Sequence, residues 1–239
     1  MCIRDRPNPN ISNSITQQST GIGTFTEIVT NLQPNKTYYV RAFATNSLGT
    51  AYGNQVVFKT KKVYVVGDTL DGGIIAYILQ PGDQGYVMGE QHGIIALPWD
   101  FFNTTLSYFG NCGSWTSAST SPYIGNGAVN TNLTYAVCST ATAPGAVQVA
   151  YNLVANGQSD WHIPSSDELN KLLNSTAFNQ LGLNNSQLYF SSYLNGTNVN
   201  LYKRVWSSSC GCHQIEGTTF SFNPGFSIGS VKLRVVRYF

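Results

Sequence analysis

Short alternating stretches dominate the first sixty residues. In 37–44 every second side chain shares a face: Tyr38, Val40, Ala42 and Ala44 on one, Tyr39, Arg41 and Phe43 on the other. That is the period of a strand. Turn residues bracket it, at 31–36 and 46–50, and 55–60 predicts a further strand. Beyond residue 62, short apolar runs predict strands at 63–68, 74–79 and 92–97, the first two forming a hairpin around Asp71-Gly72-Gly73. From 99 to 146 little periodicity survives, and Gly, Ser, Thr and Asn prevail. This predicts a long loop, of the kind that in a compact domain is functional or cross-linked. A helix is predicted at 146–154, with Ala146, Val149, Ala150 and Leu153 on one face. A second starts after Ser165, whose hydroxyl and the Glu168 carboxylate each accept a backbone N–H in a capping box ahead of the stripe Leu169, Leu172 and Leu173. Trp161, just before it, reads as a buried anchor. Strands return at 204–209, 218–222 and 232–239, and Trp206 in the first of these is expected in the core.

Composition sharpens this into a β-rich, weakly charged chain. Of 239 residues, 42% are hydrophobic and 13% aromatic, enough to bury a core, while only 10% are charged, against roughly 25% in an average domain. Disorder and coiled coil are excluded, and no apolar run is long enough to insert in a membrane. A net charge of +2 gives no case for nucleic acid. Residues 1–6, Met-Cys-Ile-Arg-Asp-Arg, resemble a translated sequencing or assembly scar and are set aside from fold reasoning. The chain is then expected to be a fragment, with its signal peptide lost by truncation and further domains upstream.

The run from Leu32 through Tyr38-Tyr39-Val40-Arg41-Ala42 to Asn54 resembles the C-terminal half of a fibronectin type III domain. The resemblance implies a β-sandwich in which Tyr38 is a tyrosine corner, its ring in the core and its hydroxyl tying down the preceding loop. Only half a sandwich is covered, so residues 7–62 are expected to be a truncated spacer module. A second resemblance spans 63–239. Gly67-Asp68, Gly72-Gly73-Ile-Ile-Ala-Tyr, Ile124-Gly-Asn-Gly, Ser159-Asp-Trp-His-Ile-Pro-Ser-Ser-Asp-Glu-Leu169, Trp206-Ser-Ser-Ser and Leu233-Arg-Val-Val-Arg-Tyr-Phe occur in order. They are similar to the C-terminal domain family of the Legionella collagen-like adhesin, akin to the Fibrobacter succinogenes major paralogous domain. This implies an α+β, C-type-lectin-like fold on an exported bacterial surface or secreted protein, and binding of glycans through a basic surface. Here residues 63–239 carry six positive and nine negative side chains, so a polysulfated ligand finds no basic field overall.

Candidate chemistry is sparse. With Cys2 in the presumed scar, four cysteines remain. Cys112 and Cys138 are expected to bridge across the long loop, while Cys210 and Cys212 stand as a bridge to one another or as free thiols. Cys210-Gly-Cys212-His213 has zinc-type donors but no second cluster to complete four ligands, and no metal or cofactor is expected. Asp68 and Asp71 lack calcium-loop spacing, and the Glu-Pro-Asn, Gln-Pro-Asp and Trp-Asn-Asp lectin motifs are missing. The acids and the three histidines are scattered, which argues against an enzyme. For an anionic glycan the candidate contacts are Lys203, Arg204, Lys232 and Arg234; for a neutral sugar they are Trp115 and Tyr123. The expectation is a non-catalytic extracellular binding or adhesion module for glycan or another surface protein, with a structural display or spacer module, or a protein–protein contact domain, as the alternative.

Overall fold

A computed structural model describes residues 1–16, 20–21, 23–101, 120–138, 145–195, 198–207, 212–221 and 231–239. It is β-rich with antiparallel sheets, and divides into two compact units, Met1–Tyr64 and Val65–Phe239. Among the described residues no helix is long and apolar enough to cross a membrane.

The first unit is one antiparallel sheet of β1 (Cys2–Arg4), β2 (Ser14–Ile15), β3 (Thr37–Asn46) and β4 (Gly49–Lys59), in the order β2-β1-β3-β4. β3 and β4 form a long hairpin that pairs Thr37 with Lys59 and Asn46 with Gly49, with a bulge between Arg41 and Phe43. The residues set aside at the chain start are part of this sheet. Cys2–Arg4 pair with Tyr39–Arg41, and Cys2 and Ile3 are buried. The reason is that β3 presents a row of N–H and C=O groups that a neighbouring strand can satisfy. Tyr38 is buried, its hydroxyl accepts the Gln33 N–H at 3.0 Å, and its ring packs 6.0 Å from that of Phe58. Burial fades along β3, and Ala42 and Ala44 are exposed.

Among its described residues the second unit holds two sheets and three helices. One sheet runs β11-β7-β6-β5, from β5 (Thr69–Leu70), β6 (Gly73–Ile78), β7 (Gly93–Ala96) and β11 (Val236–Tyr238). The other runs β10-β9-β8, from β8 (Tyr189–Asn195), β9 (Asn198–Ser207) and β10 (Cys212–Ser221). The C-terminal segment stitches these elements together: Lys232 bridges Tyr189, Leu233 bridges Phe101, and Val236 pairs with both Ala96 and His162. Between the sheets lies a core in which Leu169, Leu172 and Leu173 of α3 (Ser166–Leu173) meet Ile94, Ala96, Leu181, Tyr189 and Val236.

Four expectations need correction. Residues 63–68 are not a strand: Gly67 takes φ +98° in a turn, and Val63 and Val65 are exposed. The stretch 99–146 contains a helix, α1 (Gly127–Cys138). Its inward face is polar, with Asn130, Thr131 and Thr134 buried, while Val129, Leu133 and Val137 are 52%, 41% and 36% exposed. β8 falls where no strand is predicted. The helix expected at 146–154 is shorter, α2 (Ala146–Tyr151), and buries Ala146, Val147, Gln148 and Ala150.

Candidate functional site

The entry to α3 builds a buried junction around one carboxylate. Ser165 Oγ accepts the Glu168 N–H at 3.3 Å, and Glu168 Oε2 accepts the Ser165 N–H at 2.9 Å. Oε1 does more than close this capping box. It accepts the N–H groups of Gly125 and Gly127 at 2.9 and 3.1 Å, at the start of α1, and the Tyr238 hydroxyl at 2.7 Å, from β11. One fully buried carboxylate therefore serves the positive ends of two helices and fastens both to the C-terminal strand. His162 closes the far side. Its Nδ1 lies 3.1 Å from the Asp160 carbonyl, and its Nε2 is 3.6 Å from Oε2, at ion-pair range. Burial pushes the Glu168 pKa up, but His162, the Tyr238 hydroxyl and the Ser165 N–H outweigh it and hold the carboxyl below its ordinary value. Burial, with the Glu168 carboxylate beside it, drives the Tyr238 phenol far upward. A Cβ on Gly127 would crowd Glu168 Oε2 and His162 Cδ2, so any side chain here forces its neighbours to shift. This carboxylate is sealed from solvent.

On the outer side of α3 lies an open groove of about 670 Å³. The helix contributes Asp167, Asn170, Lys171 and, at its C-cap, Asn174. These follow the i, i+3, i+4, i+7 spacing of one helical face, opposite the leucine stripe. The facing wall is Tyr77 and Asp83, over a floor that includes Val66, Ala76 and Ile124. A bulge between Ile75 and Tyr77 interrupts the β6–β7 register, and such irregularities re-aim a side chain. The Tyr77 hydroxyl donates to Asp83 Oδ2 at 2.8 Å, and the same oxygen accepts the Gln80 N–H. Lys171 Nζ sits 4.5 Å from the Tyr77 ring centre. Burial, then the bond to Asp83, raises the Tyr77 pKa, and burial raises that of Asp167. A flat ring beside amide, carboxylate and ammonium groups offers both donors and acceptors to a polar ligand with an apolar face.

Of the cationic candidates, Arg204, Lys232 and Arg234 are engaged within the fold. Arg234 is 0% exposed, with Nη2 2.6 Å from Asp100 Oδ1 and Nη1 donating to the Leu97 and Leu181 carbonyls. Lys232 Nζ is 3.7 Å from the same aspartate. Arg204 lays its guanidinium over the Phe178 ring at 4.3 Å. Arg237 is held between Asp71 and Asp160. A buried cation needs a paired anion, and Arg234 and Arg237 have theirs within the fold. Of the neutral-sugar candidates, Tyr123 is exposed and adjoins Ile124 of the groove floor. Trp161 is buried, its Nε1 donating to the Ala155 carbonyl. Cys112, Trp115 and Cys210 lie outside the described residues, as do the side chains of Cys138, Lys203, Trp206 and Cys212. Sequence reasoning missed the groove, although the polar spacing on α3 was a readable signal. Comparison with family models, curated proteins and solved structures gave no match.

Proposed function

We propose that the second unit is a non-catalytic extracellular module that binds a neutral glycan in the groove over α3, on a bacterial surface or secreted protein. The observation that carries this reading is the groove itself, where a tyrosine wall faces mixed amide, carboxylate and ammonium groups set on packed elements. Two acids and one lysine line it, which disfavours a polyanion. The non-catalytic reading rests on the scatter of the acids and histidines, with the buried Glu168 carboxylate engaged by two helix ends. The finer fold assignments belong to the same proposal. Tyr38 and its bond to Gln33 support a partial fibronectin type III module. The return of the C-terminal strand to pair with β7 beside α3 supports a C-type-lectin-like second unit.

A protein-contact role is the second reading, carried by the exposed stripe Val129, Leu133 and Val137 on α1. A glycan array with the full chain separates the two. Binding to neutral glycans that survives chelator and raised salt is expected. Binding only to sulfated glycans, or none, overturns the proposal, and release of new reducing ends from a bound oligosaccharide overturns its non-catalytic part.

A further inference from the structure

The groove does not end at the C-terminal turn of α3. A second hollow, of about 550 Å³, opens on the other side of the same turn and shares Asn170 and Asn174 with the first. Its remaining walls are Tyr202 of β9 with Gln214 and Ile215 of β10. Tyr202 stands opposite Gly217 in the β9–β10 register, and a Cβ on Gly217 would fall 2.9 Å from its ring. The absent side chain lets one ring face lie against the strand and leaves the ring packed at the edge of the hollow. Each hollow thus pairs one tyrosine with the same two amides. Asn170 Oδ1 is buried without a hydrogen-bond partner among the described residues.

From this juxtaposition we infer that the site takes a linear neutral oligosaccharide, running from Tyr77 across Asn170 and Asn174 to Tyr202, rather than a single sugar. The inference rests on the glycan reading above and extends it. Repeating units fit because the site itself repeats an aromatic wall on either side of a shared amide pair. Sugar hydroxyls, as donors and acceptors, match the amides, with the two tyrosines as flanking walls. A lone monosaccharide would use only one of the two hollows.

The test is calorimetric titration of the full chain with cellobiose, mannobiose, xylobiose and chitobiose and with the corresponding hexaoses. For the sugar that binds, the hexaose is expected to be at least about tenfold tighter than the biose, a gain of about 1.4 kcal/mol. Tyr202→Ala should abolish that advantage while leaving the biose within about twofold. Because Tyr202 also packs against the core, Gln214→Ala, on an exposed strand position, serves as a second variant and should lower hexaose affinity alone. Equal affinity for both lengths, or a hexaose advantage untouched by both variants, overturns the extended site and spares the glycan reading. Failure of every biose and hexaose to bind overturns both.

Discussion

Removing the Glu168 carboxylate should unfold the second unit long before the first. The side chain accepts four hydrogen bonds, from Ser165 N, Gly125 N, Gly127 N and the Tyr238 hydroxyl, and faces His162 at 3.6 Å. Glu168→Ala leaves the buried Ser165 and Gly127 N–H groups without their acceptor, while Gly125 N–H keeps its bond to the Tyr238 hydroxyl. Breaking a buried ionic junction on one side costs about 3–5 kcal/mol. In a unit of this size that lowers Tm by about 6–20 °C, at about 2–4 °C per kcal/mol. Glu168→Gln keeps an oxygen for the Gly125, Gly127 and Tyr238 donors but turns an NH2 toward Ser165 N–H and His162, so about 2 kcal/mol is expected. All four tryptophans lie beyond residue 64, so fluorescence-monitored urea or thermal unfolding reports this unit alone. The sign in acid follows from the carboxyl's lowered pKa. Unfolded, the group takes a proton near its ordinary value of 4.5; folded, it resists until lower pH. Its stabilisation is therefore complete above the ordinary value and is lost as pH falls through the folded one. Wild type should lose more stability than Glu168→Gln between neutral pH and that window. An alanine variant melting within about 2 °C of wild type, or parallel pH profiles, would refute the reasoning.

Three further outcomes follow from single contacts. Gly127→Ala places a methyl 2.2 Å from Glu168 Oε2 and should cost about 1–3 kcal/mol by overpacking, read from the same fluorescence transition. Arg234→Met leaves Asp100 with only Lys232 at 3.7 Å among the described basic side chains, and should cost about 3–5 kcal/mol; a change below about 1 kcal/mol would mean that the buried guanidinium contributes little. Tyr38→Phe deletes the bond to Gln33 N–H, so faster hydrogen exchange at that amide is expected, with a loss of about 1 kcal/mol in the first unit and none in the tryptophan signal.

What could be read in advance was whatever a local period or cap encodes. The Ser165–Glu168 capping box and the leucine stripe place α3 almost to the residue, because both signals span one or two turns of chain. α1 defeats the same reasoning. Its buried face is Asn130, Thr131 and Thr134, so a search for apolar residues inside finds them outside, at Val129, Leu133 and Val137. Those polar residues pack inward because each has a partner remote in sequence or one turn away. Asn130 exchanges hydrogen bonds with the Ser121 backbone, Thr131 takes the Ile163 N–H, and Thr134 donates to the Asn130 carbonyl. The β1 strand was illegible for a different reason: only the long-range pairing with β3 gives three residues a place.

The candidate site shows the same division between local and distant information. Charge counting pointed to the C-terminal basic residues, yet a count cannot tell a solvated arginine from one that crosses the core to Asp100. The distinction depends on residues more than a hundred positions apart, Arg234 with Asp100 and Arg237 with Asp71. With those cations paired inside the fold and the groove beside α3 lined by two acids and one lysine, recognition there comes from shape, rings and amides rather than from a basic field. Such a site should bind with little salt dependence, because few counterions are displaced when neither partner carries much charge. An affinity that falls steeply between low and high salt would move the binding surface away from α3 and back toward a cationic patch.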